Sequence, residues 1–211
     1  MRTITRKTDV FAIRDKIVRI YLRKILRRFK RLNNSLMAFD EVNALSAVNA
    51  CYEEVISMTV EALKLTAKRT YKWLNEDDDD FFVDLWLLGF FDVPDPVTHY
   101  KFYDEADRKR SRLFEALESV STRAERKKQI DIALRYWTKQ FEQTADDVVE
   151  AVIHEVYQRN GVEYVMWVTA HDARVCIDCA VKDGKIYPFD KAPLPPMHYN
   201  CRCRLIPVIK K

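Results

Sequence analysis

Two clusters of potential metal ligands constrain the last quarter of this 211-residue chain. Cys176 and Cys179 form a CxxC motif, and His198, Cys201 and Cys203 follow within six residues after an eighteen-residue gap. Tetrahedral zinc accepts thiolate sulfur and imidazole nitrogen, and structural sites commonly pair a CxxC motif with a second ligand pair far along the chain. The spacing therefore predicts a structural Zn²⁺ site built from four of these five residues, without choosing among them.

The segment between the two ligand clusters has little capacity to fold without a cross-link. Asp183-Gly184 indicates a tight turn, and Pro188, Pro193, Pro195 and Pro196 disfavour helix. Metal binding would supply folding free energy on the order of 10 kcal/mol, because the ion joins ligands that are distant in the chain. Two disulfides or buried free thiols are the alternatives that the cysteine spacing leaves open. Since no secretory signal is recognisable at the N-terminus, we expect reduced thiols and favour the metal.

Several spaced motifs in the last quarter of the chain occur in one order. They are 167–176 (WVTAHDARVC), Cys179, 183–185 (DGK), 195–198 (PPMH) and 200–203 (NCRC). This arrangement resembles the C-terminal signature of the phage Mu F-like minor head proteins, which are head morphogenesis proteins. Segments 95–98, 105–110 and 112–115 extend the likeness weakly towards the N-terminus. The resemblance implies a virion component and not an enzyme with a familiar reaction.

The composition favours long helices over a sheet-rich fold. Glycine occurs three times and charged residues make up 32% of the chain, a balance typical of amphipathic helices. We therefore predict an α+β fold class, in which a mainly α-helical N-terminal region of long amphipathic helices precedes a small C-terminal β-containing module stapled by zinc. The predicted domains are 1–98, a helical region with a basic arm; 99–161, a second helical region; and 162–211, a small β zinc-binding module. No apolar run reaches the roughly 18 residues that span a bilayer, so no membrane contact is expected.

Local signals place the ends of the helices. Asp40 is a candidate N-cap for a long helix, and Thr122 with Glu125 forms a capping box for a later helix that ends near Gly161. The helix after Asp40 carries an apolar stripe at three- and four-residue spacing. The stripe consists of Val42, Leu45, Val48, Tyr52, Val55, Thr59, Leu63 and Ala67.

Strand formers are concentrated after Gly161. Residues 164–168 and 205–209 are rich in β-branched and aromatic side chains, and a short extended piece is expected near 185–187. Pro207 predicts an edge position for the last strand, because proline cannot donate to a further neighbour. These segments are expected to form a small sheet around the metal.

The first 39 residues form a strongly basic arm. They contain twelve lysines and arginines but only two acidic residues, although the whole chain has a net charge of only +4. Apolar residues recur every three or four positions between Ile13 and Leu36, which predicts an amphipathic helix. The candidate binding residues on its polar side are Arg14, Arg19, Arg23, Arg27, Arg28 and Arg31.

Three roles are open for these arginines: a solvated face, phosphate binding to packaged double-stranded DNA, and docking onto an acidic protein surface. The aromatic residues Tyr21 and Phe29 fall on the apolar stripe and are not interleaved with the arginines as a stacking platform requires. We therefore favour a protein partner over DNA.

The resemblance, taken with these features, implies a structural minor head protein of a tailed bacteriophage. The expected partners are the portal protein, the major capsid protein or both, with packaged double-stranded DNA as a further candidate and no small-molecule substrate. The protein would aid head assembly, or DNA packaging or ejection, inside the virion head after synthesis in the bacterial host cytoplasm. We expect no enzyme, because the chain has no glycine-rich phosphate loop, nucleophile elbow or other catalytic constellation beyond the proposed ligands. A phage-carried nuclease or effector enzyme, or a DNA-binding accessory protein, is the alternative.

Overall fold

Long helices make up most of the fold, and a three-stranded sheet lies near the C-terminus. A computed structural model describes residues 8–36, 40–75, 80–94, 100–198 and 201–208. The long helices are α1 (Thr8–Ser35), α2 (Glu41–Asn75), α3 (Asp80–Asp92), α4 (Phe102–Glu118) and α5 (Arg123–Arg159). The predicted α+β fold class is confirmed. None of the described helices is both long enough and apolar enough to cross a membrane.

Helices α2 and α5 begin at the capping residues that the sequence predicts. The backbone N–H of Val42 donates to Oδ1 of Asp40 at 3.0 Å, so Asp40 caps α2 as predicted. At the start of α5, the N–H of Thr122 donates to Oε2 of Glu125 at 3.1 Å, and the N–H of Glu125 donates to Oγ1 of Thr122 at 3.2 Å. This complete capping box satisfies two backbone donors that the helix leaves unpaired.

Replacing Thr122 by alanine is expected to lower the free energy of unfolding by about 1 kcal/mol, because it removes the acceptor for the Glu125 N–H. The measurement is urea unfolding followed by circular dichroism. Ser46→Ala, at an exposed position within α2, is the control and is expected to change stability by less than about 0.5 kcal/mol. Equal losses in the two variants would show that the capping box contributes nothing.

Helix α5 runs without a break from Arg123 to Arg159 and is followed by Gly161, the predicted terminating residue. Gly161 has a positive φ of 66°, which glycine adopts without strain. The N–H of Val162 donates to the carbonyl of Tyr157 at 3.1 Å, the hydrogen bond expected of a Schellman motif. The chain therefore turns from α5 almost directly into the first strand.

The apolar stripe of α2 is buried only in part. Its buried members are Val48, Tyr52, Val55, Thr59, Leu63 and Ala67, in agreement with the periodicity. Val42 and Leu45 are 77% and 44% exposed, so the predicted apolar stripe extends beyond the buried part of the helix. Periodicity identifies one side of a helix, whereas burial also requires a neighbouring element to cover that side.

Three short strands form an antiparallel sheet in the order β2–β1–β3. They are β1 (Tyr164–Val168), β2 (Ile186–Pro188) and β3 (Arg204–Pro207). Met166 in the central strand pairs with Ile186 on one side and Ile206 on the other. Strand β3 is an edge strand, as Pro207 predicts. A short helix, α6 (Ile177–Ala180), and a 3-10 helix (Phe189–Lys191) lie in the connections.

The chain divides into two compact units, of which the first contains residues 16–64 and 87–142. The core of this first unit includes an aromatic cluster of Phe29, Tyr52 and Trp137. The Tyr52 ring meets the other two edge to face, with ring centroids 6.0 Å from Phe29 and 5.5 Å from Trp137. The indole N–H of Trp137 donates to Oγ1 of Thr59 at 3.2 Å, so this buried donor is satisfied.

The second unit consists of segments 1–15, 65–86 and 143–211, as far as the structure describes them. It contains the C-terminal part of α5, the sheet and all five predicted metal ligands. Val165 and Trp167 of β1 are fully buried, together with aliphatic residues of α5. His154 of α5 stacks on Phe189 with ring centroids 4.5 Å apart. The loops that carry Cys176, Cys179, His198, Cys201 and Cys203 therefore belong to a unit that also has an apolar core.

Some sequence predictions fall on residues that the structure does not describe. Residues 1–7 of the basic arm lie outside the described part, and so does residue 98, the predicted end of the first domain. The division into domains at residues 98 and 161 stays a prediction.

Candidate metal centre

Two tight turns present the cysteine and histidine donors. Cys176 precedes α6 and Cys179 lies within it, and the N–H of Ala180 donates to the carbonyl of Cys176 at 2.9 Å. The N–H of Cys201 donates to the carbonyl of His198 at 3.0 Å and closes the second turn. In both turns the two potential ligands are three positions apart, which is the spacing of a zinc knuckle. Cys203 follows two residues after Cys201, immediately before β3.

The five predicted ligands converge on Cys179. Its Sγ lies 3.2 Å from Nε2 of His198 and 3.9 Å from Sγ of Cys201, and Sγ of Cys176 lies 3.1 Å from the same histidine nitrogen. The donor atoms of Cys176, Cys179 and His198 all lie within 4.8 Å of one another, as do those of Cys179, Cys201 and Cys203. The structure thus arranges the five residues as two triads that share Cys179. All the cysteines are free thiols.

The donor types and the separations within the two triads fit ligands of a metal ion. With Zn–S bonds of about 2.3 Å and Zn–N bonds of about 2.0 Å, two sulfur ligands lie about 3.8 Å apart, and a sulfur and a nitrogen lie about 3.5 Å apart. The observed sulfur–sulfur separation of 3.9 Å matches, and the sulfur–nitrogen separations of 3.1 and 3.2 Å are slightly shorter. The cluster can therefore hold a metal ion, and thiolates with imidazole are ligands that suit zinc.

Two thiols of the cluster, those of Cys179 and Cys203, resist ionisation when no cation is present. Burial raises the pKa of Cys179 well above its usual range, and hydrogen bonds with Cys203 and Cys176 raise it further. Burial also raises the pKa of Cys203 to about 11. Because a metal ion binds the thiolate form, binding would release protons and weaken as the pH falls.

An ion pair between residues that are far apart in the sequence fixes the loop between Cys201 and Cys203. The Arg202 guanidinium forms a bidentate pair with Asp172, with N–O distances of 2.5 and 2.6 Å. Arg202 holds the pKa of Asp172 well below its usual range, and the backbone N–H of Arg174 lowers this pKa further. The backbone N–H of Arg174 donates to Oδ1 of Asp172 at 3.0 Å, so the same carboxylate also holds the turn that begins at Asp172.

The Asp183-Gly184 turn joins the ligand-bearing loop to the sheet. Gly184 has a positive φ of 71°, and its N–H donates to the carbonyl of Trp167 at 2.9 Å. The N–H of Trp167 donates to the carbonyl of Lys185, also at 2.9 Å. Oδ1 of Asp183 accepts a hydrogen bond from the N–H of Thr169 at 2.8 Å. The turn predicted from the sequence therefore anchors the loop to β1.

A cavity of about 220 Å³ lies beside the cluster, between residues of α1, α5 and segment 201–204. Glu150 of α5 lines this cavity. Burial raises the pKa of Glu150 to about 8; Arg204 opposes the increase, and Asp146 and Asp147 add to it. One wall of the cavity therefore carries a carboxyl group that is mainly neutral at neutral pH.

A family model matches the region that contains the cluster. Residues 110–206 match the model described as phage Mu protein F like protein. Over this stretch the chain is similar to the phage Mu protein F like family. The phage Mu protein F like region contains all five predicted ligands and segment 112–115, whereas segments 95–98 and 105–109 precede it. The resemblance found in the C-terminal motifs is confirmed.

Phage Mu protein F like proteins form a family of structural head proteins. The match over residues 110–206 indicates a phage head morphogenesis protein, a virion location and interactions with other virion components. No curated protein and no solved structure matches the chain. The functional assignment therefore rests on the family match and on the geometry of the molecule.

The six arginines predicted as binding residues on the basic arm fall into two groups. Arg14 and Arg28 have side chains that are only 13% and 15% exposed, and they form ion pairs within the chain. Arg14 pairs with Asp146 at 2.9 Å, and Arg28 pairs with Glu54 at 2.7 Å. The exposed group consists of Arg19, Arg23, Arg27 and Arg31. No ion pair joins these four to another described residue.

Sequence reasoning missed three lysines among the candidate binding residues of α1. Lys16, Lys24 and Lys30 are exposed, like the four arginines. Their spacing relative to the buried apolar residues of the helix is the signal that identifies them. We call the seven exposed basic residues the cationic face; they are Lys16, Arg19, Arg23, Lys24, Arg27, Lys30 and Arg31.

Proposed function

We propose that this chain is a structural minor head protein of a tailed bacteriophage that binds the portal protein or the interior surface of the capsid. The family match over residues 110–206 is the observation that carries the proposal. Binding aids head assembly or the packaging and ejection of DNA. The protein acts inside the virion head after synthesis in the host cytoplasm, and this role requires no catalytic turnover.

Within this proposal the five-donor cluster holds one structural Zn²⁺ ion. Between residues 170 and 198, Cys179 is the only residue that is buried, so this stretch has almost no apolar core of its own. Metal binding supplies folding free energy on the order of 10 kcal/mol to such a segment. The ion therefore gives the module a fixed surface for docking, which its few buried side chains alone would not maintain.

The cationic face of α1 is a second docking surface in this proposal. Nine residues between Lys16 and Arg31 are exposed; seven of them are lysine or arginine, and none is acidic. At 1.5 Å per residue this stretch of helix is about 23 Å long. A row of like charges of that length attracts an acidic partner and disfavours a basic one.

Two aliphatic side chains beside the cationic face favour a protein partner over DNA. The remaining exposed residues of this stretch are Ile20 and Leu26, which are 45% and 54% exposed. Aliphatic side chains gain free energy when a protein surface buries them, whereas contacts to DNA phosphates are polar. An acidic surface with apolar patches, repeated on portal or capsid subunits, is the partner that we propose.

Replacing Arg19, Arg23, Arg27 and Arg31 together by glutamine is expected to reduce the number of copies of this protein in assembled heads by more than roughly tenfold. Four lost charge pairs at about 0.5 kcal/mol each amount to about 2 kcal/mol, and about 1.4 kcal/mol corresponds to tenfold. The measurement is quantitative mass spectrometry of heads purified from phage that express the variant in place of the wild type.

A second quadruple variant controls for the loss of charge. Replacing Arg123, Lys128, Arg135 and Lys139 by glutamine removes four exposed charges from α5 and is expected to leave the copy number unchanged. Absence of the wild-type protein from heads would overturn the proposed function. Tight binding of the purified protein to duplex DNA, steeply weakened by salt and lost in the α1 variant, would instead assign the cationic face to DNA.

A further inference from the structure

We infer that the element bound by the cationic face is an acidic α-helix of the partner, which lies lengthwise along α1. This inference rests on the proposed function, because it names the charge and the secondary structure of what docks at that surface. Three observations carry it: the straight row that the cations form, the period of that row, and the lack of neutralising partners for it among the described residues.

Five cations form a row along the exposed side of α1. They are Lys16, Arg19, Arg23, Arg27 and Lys30. Successive members are three, four, four and three positions apart, and at about 100° per residue all five fall within an arc of about 80°. At 1.5 Å per residue the row is about 21 Å long. The other two members of the cationic face, Lys24 and Arg31, lie at one edge of the exposed side.

The period of the row fits a second helix. Its mean spacing is about 3.5 residues, which is the period at which two helices stay in contact along their length. The cations therefore rise by about 5.3 Å each, and an acidic helix with carboxylates at the same spacing meets every one of them. A β-strand presents the side chains of one face about every 6.7 Å, so it falls out of register with the row within a few residues.

The row carries a charge that the described part of the chain does not neutralise. None of its members forms an ion pair with another described residue, in contrast to Arg14 and Arg28 on the buried side of the same helix. Arg23 has a like charge four positions away in both directions, at Arg19 and Arg27. Like charges at this spacing destabilise a helix. A partner that brings carboxylates relieves this repulsion, whereas a neutral or basic partner does not.

One aliphatic side chain lies on each flank of the row. Ile20 and Leu26 are 45% and 54% exposed, and a helix rotation of about 120° separates them. Helices that pack side by side have axes about 8 to 10 Å apart, so apolar residues on the two edges of a partner helix can cover both side chains. The phosphates of double-stranded DNA offer no such apolar contact.

Binding of the full chain to two synthetic peptides tests the inference. The probe is an alanine-rich peptide of about 22 residues, which is long enough to form a helix alone. Its five glutamates are spaced three, four, four and three positions apart. The control peptide has the same composition, with its glutamates distributed evenly around the helix. Fluorescence anisotropy is expected to show at least about fivefold tighter binding of the striped peptide, and this affinity is expected to fall as salt is added.

Two double variants with equal loss of charge locate the contact on α1. Arg23→Gln with Arg27→Gln removes two members of the row and is expected to lower the affinity for the striped peptide about fivefold. Lys24→Gln with Arg31→Gln removes the two cations at the edge and is expected to change this affinity by less than about twofold. Lys24 suits the control because its amine lies 4.1 Å from the centroid of the Tyr21 ring, away from the row.

Equal affinity for the two peptides, or equal losses in the two double variants, would overturn the inference, because charge alone would then decide binding. A striped peptide that does not bind at low salt would overturn it as well. Preferential binding to duplex DNA, lost in the variant of Arg23 and Arg27, would assign the row to DNA instead. Each of these results leaves the proposed function standing if the wild-type protein is found in assembled heads, so the two failures are distinguishable.

Discussion

Replacing Cys179 by serine is expected to abolish stoichiometric zinc binding and to unfold the ligand-bearing loops of residues 170–203. Cys179 belongs to both donor triads, so no triad of described donors survives its loss. A serine hydroxyl is a much poorer zinc ligand than a thiolate. The binding free energy at stake is on the order of 10 kcal/mol, which exceeds the effect of most single substitutions.

Zinc content and amide hydrogen exchange together measure this effect. The N–H groups of Trp167 and Gly184 form the hydrogen bonds that join β1 to the loop. In Cys179→Ser, and in the wild type treated with a chelator, these amides are expected to lose protection. Amides within α4, in the unit of residues 16–64 and 87–142, are expected to keep theirs.

Cys51→Ala is the matched control, because it also removes one buried thiol. Cys51 lies in the unit that contains none of the proposed ligands, so this variant is expected to retain one zinc per chain. A Cys179→Ser protein with full zinc content and unchanged amide protection would contradict the structural role of the metal.

Features that depend on neighbouring residues were predictable from the sequence. Thr122 and Glu125 are three positions apart, and both hydrogen bonds of the capping box form between them. Asp40 caps α2 through a residue two positions later. Because each interaction is complete within one turn of the chain, its residue types and spacing are sufficient to identify it.

The candidate metal centre was predictable as a set of donors but not as a geometry. The CxxC motif and the cluster after His198 mark residues whose chemistry requires a common partner. In contrast, the Asp172–Arg202 pair joins residues thirty positions apart. The sequence gives no sign of such pairs, because tertiary contacts have no fixed spacing.

The periodicity of the basic arm alone would have shown that Arg14 and Arg28 lie on the buried side of α1. Arg14 and Arg28 each lie seven residues from Tyr21, which is buried. Seven residues are about two helical turns, so the three side chains share one side of α1. That side faces other parts of the chain, which explains why the two arginines pair with Asp146 and Glu54. The identity of those partners, however, follows only from the tertiary fold.

Replacing Trp137 by alanine is expected to lower the free energy of unfolding by about 3 to 5 kcal/mol, the usual cost of truncating a large buried aromatic residue. The indole is 2% exposed and meets the Tyr52 ring edge to face. Thr59, which accepts the indole N–H, also donates to the carbonyl of Val55 at 2.8 Å, so its hydroxyl keeps a partner in the variant. The expected loss is therefore mainly one of packing, and urea unfolding measures it.

Two further variants separate packing from hydrogen bonding at this position. Tyr136 is 61% exposed, so Tyr136→Ala is expected to cost less than about 0.5 kcal/mol. Thr59→Val leaves the buried indole N–H without its acceptor and is expected to cost about 1 to 3 kcal/mol. If Trp137→Ala cost no more than Tyr136→Ala, the aromatic cluster would contribute nothing to the core. All three variants are expected to keep their zinc, since the ligands belong to the other unit, so zinc content distinguishes lost packing from a damaged metal centre.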